Sequence, residues 1–231
     1  MADSAKPSEI NVSMPVVVKF IRQLAHDLRN HLNAAELQSA YLAEIAENDE
    51  MREEIKRLRG MVSQVGLSLQ ELTAALGQPA PTTMPYAAKE LIEDLQQKLA
   101  TVYPAESADV KWEISATDAT LEIDPQLLLP ALLELFANAF RHERGNGPIV
   151  ATAKTEKARF VFTLVEPKAS FQRSTENWGA EPLQSLRQGQ YGLGLYRTRR
   201  IIEAHGGSLS ALHDPVASSL VTTIILPVSA T

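Results

Sequence analysis

The helical part of the molecule is set by one stretch of sequence, Ile55-Lys-Arg-Leu-Arg-Gly-Met-Val-Ser-Gln-Val-Gly-Leu-Ser-Leu-Gln-Glu-Leu-Thr-Ala-Ala-Leu76. Its apolar residues alternate strictly between steps of three and four, at positions 55, 58, 62, 65, 69, 72 and 76. That spacing is a heptad pattern, which predicts a helix whose apolar seam packs along a partner helix. Gly77, Pro79 and Pro81 then end the pattern.

The arm that precedes this stretch is also helical in pattern, with apolar residues at three- and four-residue steps. Ser13 and Pro15 are typical of a helix start, and the polar residues 47–50 are typical of a turn. The two arms predict an antiparallel hairpin over residues 14–76. One hairpin has a thin core, so we expect two copies to pair as a four-helix bundle. Periodicity alone leaves open an ordinary coiled-coil spacer.

After residue 76 the sequence no longer follows a continuous helical pattern. Residues 77–85 are rich in proline and predict a linker. Residues 86–229 alternate helices and strands without βαβ regularity, which favours an α+β fold, built as an α/β layer sandwich. Helices are predicted at Tyr86–Val102, from Asp124-Pro125 to about His142 and from about Leu195 to His205, with strands at Val110–Ser115, Thr120–Ile123, Ile149–Lys154, Arg159–Val165, Ser208–Leu212 and Leu220–Leu226.

Composition excludes several classes of protein. The 231 residues carry a formal charge of −6 and no dense Lys/Arg run, which argues against nucleic-acid or anionic-membrane binding. The absence of cysteine excludes disulfides and thiolate metal sites. No apolar run approaches the roughly 20 residues of a membrane helix, and the first ten residues lack the order of a secretory signal. We expect a soluble, cytoplasmic protein.

The most informative segment of the first arm is Leu24-Ala-His-Asp-Leu-Arg-Asn-His-Leu-Asn33. His26 is two residues from both Leu24 and Leu28, and two helical steps turn about 200°, so the ring points away from the apolar stripe. Asn30 follows one turn later, and Asp27 is adjacent. A carboxylate can orient an imidazole, or accept its proton, while the other nitrogen attacks a phosphoryl group. A solvated histidine without function is the alternative.

The helix predicted after Asp124-Pro125 places Glu134 and Asn138 one turn apart, with Arg141 and His142 on nearby faces. Two side-chain oxygens in this arrangement can share a hard cation with phosphate oxygens, and an arginine can neutralise the remaining charge. A polar face that is merely solvated is the alternative. Pro130 predicts a separate short first turn.

A glycine-rich loop, Gly189-Gln-Tyr-Gly192-Leu-Gly194-Leu195, precedes the next predicted helix. Its glycines would let backbone amides approach phosphates at the helix N-terminus. The signal is weak alone, because such turns are common.

Together these segments resemble the core of bacterial histidine kinases, in order and spacing, from about Phe20 to Pro227. The first helix is similar to the H-box, which implies that His26 accepts the phosphoryl group beside the acid Asp27. Asn30 then matches the residue that positions water for dephosphorylating a partner. His31 stands where the family usually has a helix-bending proline.

The second half resembles the N-box and the second glycine box of the kinase and gyrase-type ATPase fold. The resemblance implies ATP and Mg²⁺, with Asn138 as the metal ligand and Glu134 near the metal shell. Arg141 and His142 match the pair that follows, and Gly192 and Gly194 lie in the loop beside the phosphates. It further implies a homodimer and a receiver-domain response regulator as partner. A separate sensor protein is expected, since no sensor segment fits before Met14.

The first glycine box of that family, Asp-x-Gly-x-Gly, is altered. Its place is taken by Val165-Glu-Pro-Lys-Ala-Ser170, and Gln190 replaces another expected glycine. Glu166 can still accept from adenine, whereas Lys168 and Ser170 are expected to crowd the base and weaken nucleotide binding. Two alternatives to a kinase follow: a histidine phosphotransferase or adaptor with a degenerate domain, and a structural coiled-coil dimer.

Overall fold

The computed structural model describes residues 12–115, 118–141, 145–171, 174–183 and 192–229. The chain divides after Gly77 into two compact units, each of which is described by itself. None of the helices in these ranges has the length and apolar character that crossing a bilayer requires.

The first unit is an antiparallel helical hairpin of α1 (Met14–Ile45) and α2 (Asp49–Ala75). Asn48 caps α2, because its side-chain oxygen accepts from the Met51 N–H at 2.8 Å. Asp49 and Glu50 belong to the first turn of α2, where the helix dipole favours acidic side chains. The turn is therefore shorter than the predicted 47–50.

The surface between the two helices follows a seven-residue repeat. In α1 and at its C-terminal cap, residues seven apart are protected from solvent: Ala25, Ser39 and Ala46 are buried, and Val18 and Leu32 are half-buried. In α2 the matching positions are 55, 62, 69 and 76, of which the first and last are buried. This inner seam uses four of the seven predicted heptad positions of the second arm.

Two of the remaining positions of α2 join three residues of α1 in an outer apolar face, defined here as Leu24, Leu28, Leu42, Leu58 and Val65. These side chains are 38–50% exposed. Each is displaced from the inner seam in the same rotational sense, and antiparallel right-handed helices carry such positions on one side of a hairpin. The single stripe predicted for each arm is thus divided between the partner helix and solvent.

In its described residues the second unit has, in chain order, β1 Met84–Ala87, α3 Ala88–Val102, a 3₁₀ turn at Glu106–Asp109, β2 Val110–Ser115, β3 Thr120–Ile123, α4 Pro125–Arg141, β4 Ile149–Glu156, β5 Arg159–Pro167, α5 Gly194–Ala204, β6 Ser208–Asp214 and β7 Ser219–Pro227. Five strands form a mixed sheet in the order β2-β4-β5-β7-β6, in which only β2 and β4 are parallel. A second sheet pairs β1 with β3. The predicted α+β class is confirmed.

The core of this unit lies between the helices and one face of the five-stranded sheet. Phe136 of α4 is fully buried and packs with Trp112 and Phe162 from the sheet. Leu91, Leu95, Leu128, Leu132, Ile149, Phe160, Ile202 and Ile224 belong to the same buried cluster. The alternating burial along β5 and β7 follows from strand geometry, since successive side chains point to opposite faces.

Two local predictions are wrong. Tyr86 and Ala87 belong to β1, where they pair with Leu121 and Thr120, so α3 begins two residues later than predicted. Pro130 lies inside a continuous α4 rather than after a separate turn. Its ring is on the exposed side of the helix.

Candidate functional site

His26 lies on α1 with its side chain 64% exposed, as its position in the sequence predicts. Its Nδ1 is 3.3 Å from Asp27 Oδ1. The same oxygen accepts from Gln23 Nε2 at 2.9 Å, which fixes the carboxylate. Gln23 was missed in the sequence, although its i,i+4 spacing from Asp27 was a usable signal. The arrangement orients the ring through Nδ1, while Nε2 has no hydrogen bond to another described residue and belongs to a side chain that is mostly exposed.

The neighbours of His26 separate by face. Asn30 is exposed one turn along α1. His31 is exposed too, but five helical steps place it about 140° around the helix from His26, toward the outer apolar face. Leu37, which is 74% exposed, lies on the side of His26. The structure therefore brings His26, Asp27 and Asn30 together and keeps His31 apart.

Helix α4 is fixed at its start by Asp124. Its Oδ1 accepts from the Gln126 and Leu127 N–H groups, and its Oδ2 accepts from the Thr82 N–H. The Thr82 bond is the largest cause that holds the pKa of Asp124 below its ordinary value, against a smaller effect of burial. The Asp124 N–H donates to Nε2 of the buried His205 at 3.0 Å. Two helices and β3 therefore meet at this residue.

Glu134 and Asn138 lie one turn apart on α4, both half-buried. Burial raises the pKa of Glu134, and the charges of Arg141 and Arg197 oppose that rise. Arg141 Nη1 is 3.9 Å from Glu134 Oε1. Within the described residues the Asn138 side chain has no hydrogen-bond partner. Its Oδ1 is therefore available to a cation, whereas Glu134 already faces positive charge.

The glycine loop approaches Glu134. Gly192 has a left-handed φ of 61°, which favours glycine. A Cβ added to Gly194, the first residue of α5, would lie 2.1 Å from Glu134 Oε1. The close approach that this glycine permits is therefore to a carboxylate of the protein, at a helix end that favours negative charge. Gly189, Gln190 and His142 lie outside the described residues.

The altered glycine box holds a buried ion pair. Lys168 Nζ is 3.2 Å from Glu166 Oε2, and the two side chains are 6% and 9% exposed. Burial raises the pKa of Glu166, and the charge of Lys168 opposes that rise. Ser170 is exposed. Ser170 is therefore not buried against a base as expected, and Lys168 pairs with Glu166, the acid that stands where the resemblance implies an aspartate.

Comparison with known proteins places these features in context. No family model matches the chain. The adaptive-response sensory kinase SasA of Synechococcus sp. strain CC9311 is 25% identical over 209 residues, covering 85% of this chain and 53% of the relative. The sensor histidine kinase ZraS of Escherichia coli K12 is 26% identical over 215 residues, covering 90% and 45%. The chain spans about half the length of the curated relatives it matches.

Solved structures of similar fold include histidine kinases. Full-length ShkA in complex with AMPPNP matches with a TM-score of 0.64 and 17% identity, over 92% of this chain and 46% of that one. The histidine kinase AdeS of Acinetobacter baumannii matches with a TM-score of 0.53 and 16% identity, over 89% and 98%. The fold is that of a histidine kinase core, a helical hairpin followed by an α+β domain of the ATPase type.

Proposed function

We propose that this core transfers the γ-phosphoryl group of ATP to Nε2 of His26 and then to an aspartate of a receiver-domain response regulator. The observation that carries the proposal is the contact of Nδ1 with Asp27 Oδ1 at 3.3 Å on an exposed helix face. The sensor histidine kinases among the curated relatives support the same class of reaction.

The two ring nitrogens of His26 take different roles in this reaction. Nδ1–H donates to Asp27, so Nε2 carries the lone pair. A bond forms between Nε2 and the γ-phosphorus while the bond to the bridging oxygen breaks, and ADP leaves with the electron pair. The proton stays on Nδ1, where the Asp27 carboxylate balances the charge of the phosphoimidazole. Asn30 is assigned to the later step, where it positions water for dephosphorylating the receiver.

Magnesium is assigned to Asn138, together with phosphate oxygens of the nucleotide. Among the described residues no group of three or more His, Cys, Asp or Glu could hold a metal by itself. Mg²⁺ commonly takes one or two protein ligands and fills its shell with phosphate oxygens and water, so a single amide oxygen fits. The bound ion would neutralise phosphate charge. Glu134 and Arg141 would border the site, and Gly192 and Gly194 would lie beside the phosphates.

Dimerisation is assigned to the hairpin, through the outer apolar face. Leu24, Leu28, Leu42, Leu58 and Val65 are large apolar side chains on one side of a two-helix unit whose inner seam is already filled. A second copy presents the same heptad spacing, so the two faces match each other in a four-helix bundle. Because the reaction consumes ATP, we expect it to take place in the cytoplasm.

Labelling with radioactive ATP tests the proposal. The purified chain with magnesium and γ-labelled ATP should acquire an acid-labile, base-stable phosphate, and His26→Ala should remove it. His31→Ala is the matched control, since this neighbouring histidine lies on another face, and it should keep most of the label. Full labelling of His26→Ala would refute the assignment. Labelling by a phosphorylated receiver but not by ATP would favour the phosphotransferase alternative.

A further inference from the structure

Only one of the two carboxylate oxygens of Glu166 is hydrogen-bonded within the described residues. Oε2 accepts from Lys168 Nζ, and in the described part of the chain Oε1 has no hydrogen-bond partner. Oε1 is also not one of the buried oxygens that lack a partner in those residues, so it is reachable from solvent. A carboxylate accepts through both oxygens. Glu166 therefore retains one acceptor for a ligand.

Lys168 is held in place through its backbone as well as its side chain. Its N–H donates to the Ser218 carbonyl at 2.6 Å, and its carbonyl accepts from His213 Nε2 at 3.0 Å. Its ammonium lies 5.8 Å from the centre of the Phe171 ring, within cation–π range. The residue is thus anchored to the β6–β7 hairpin and covered by an aromatic side chain. It presents a fixed positive charge to Glu166.

The charge of Lys168 opposes the larger effect of burial on the pKa of Glu166. An unpaired carboxyl with so little exposure favours its neutral form, and burial is the largest cause acting on Glu166. Of the described charged groups, Lys168 alone opposes it, while His213 faces the carbonyl of Lys168 rather than the carboxylate. A neutral Glu166 would carry a proton on one oxygen, and its remaining carbonyl oxygen would be a weaker acceptor than a carboxylate.

We infer that Lys168 is a positioning residue for nucleotide recognition, which keeps Glu166 ionised and turned so that Oε1 accepts from the exocyclic amine of adenine. The inference rests on the proposed function, because it requires that a nucleotide base reaches Glu166. It reverses the expectation from sequence that Lys168 obstructs the base. Lys168, at a position where the glycine box has a glycine, thus supports Glu166, at the position where it has an aspartate.

Calorimetric titration of the full chain with magnesium-ATP and magnesium-ITP tests it, since the base of ITP carries a carbonyl where adenine has the amine. The native chain should prefer ATP roughly tenfold, the value of one hydrogen bond to a charged group. Lys168→Met should lose roughly that factor for ATP at neutral pH and should bind ATP better as pH rises and Glu166 ionises. Lys168→Arg keeps the charge and should restore most of the preference.

Two further variants separate this role from a structural one. Lys154→Met is the matched control, because Lys154 forms a similar pair with Glu156 at 2.7 Å whose side chains are 44% and 57% exposed, and it should change nothing. Glu166→Leu with Lys168→Met removes both charges together with the acceptor oxygen, and it protects the fold if Lys168→Met unfolds. This double variant should bind ATP weakly at every pH.

The possible outcomes distinguish a failure of the proposed role of Lys168 from a failure of the proposed kinase function. An unchanged ATP/ITP ratio and pH profile in Lys168→Met, with tight binding by the native chain, would overturn the role of Lys168 and leave the kinase proposal intact. A double variant that keeps the ATP preference would overturn it equally. No binding of either nucleotide by the native chain would overturn the proposed function and this inference with it.

Discussion

Among single residues, the described histidines differ in what their ring nitrogens contact. His205 is buried with both nitrogens bonded, Nε2 to the Asp124 N–H and Nδ1 to the Ile201 carbonyl. His26 has one nitrogen beside Asp27 and the other toward solvent. A nucleophile needs a free lone pair on an accessible atom. Of these two rings only that of His26 has an accessible nitrogen with a free lone pair.

Glu134 gives a prediction at the same scale. Its pKa is raised, chiefly by burial, so the folded state binds its proton more tightly than the unfolded state does. Its share of stability is therefore present below the ordinary pKa of glutamate and is lost as pH rises through the raised pKa. Glu134→Gln should lack this loss, so its melting temperature should fall less than that of the native chain between pH 4 and pH 8.

Glu156→Gln serves as the control of opposite sign. The hydrogen bond and charge of Lys154 lower the pKa of Glu156, so its share is present at neutral pH and lost on acidification. Thermal unfolding across the same pH range measures both variants. A native-like pH dependence in Glu134→Gln would show that Glu134 is not the group responsible.

At the scale of elements, His205 joins the end of α5 to the start of α4. Because Nε2 accepts from the Asp124 N–H, the ring proton is on Nδ1 and donates to the Ile201 carbonyl at 2.7 Å. His205→Ala should lower the free energy of unfolding by about 1–3 kcal/mol, the cost of leaving a buried donor unpaired. Urea titration measures it, with the exposed His31→Ala as control. A change within about 0.5 kcal/mol, as expected of surface substitutions, would show that the junction is held by other contacts.

The sequence predicts the helices better than it predicts which surface each of them buries. The heptad steps of 55–76 predicted a helix, but periodicity records that a residue is apolar and not whether its partner is the same chain. Hence the division between Ile55, which is buried, and Leu58, which is 44% exposed, needed the structure. Strand β1 was missed because Met84–Ala87 is short, contains a proline and owes its conformation to pairing with β3.

The candidate site was predictable where it follows from spacing within one element. Glu134 with Asn138, and His26 with Asp27 and Asn30, depend only on helical geometry. The contact of Gly194 with Glu134 joins residues far apart in the chain, so no local pattern predicts it. The Glu166–Lys168 pair could have been predicted from the sequence, since side chains two residues apart in an extended chain share a face. The glycine that the resemblance implies at position 168 predicted an obstruction there and not an ion pair.

At the scale of the whole molecule, the outer apolar face predicts the oligomeric state. Leu58→Glu with Val65→Glu places charges where the second copy would pack, and the chain should sediment as a monomer. Leu37→Glu is the control, because Leu37 is more exposed but lies on the side of His26, and it should leave the dimer intact. The separate unit of residues 78–231 should be monomeric. A dimer in the Leu58, Val65 variant would place the interface elsewhere.

The division of the heptads has a consequence for gene duplication. Changes at inner positions such as Ala25 and Ile55 can be compensated within one gene, because both partners are encoded together. In the proposed dimer, outer positions such as Leu24, Leu28 and Leu58 would have to suit a second polypeptide, and after duplication two such genes would produce mixed assemblies until those residues diverge. We therefore expect duplicated copies in one genome to differ first along the outer side of the hairpin, while the inner side drifts slowly in matched pairs.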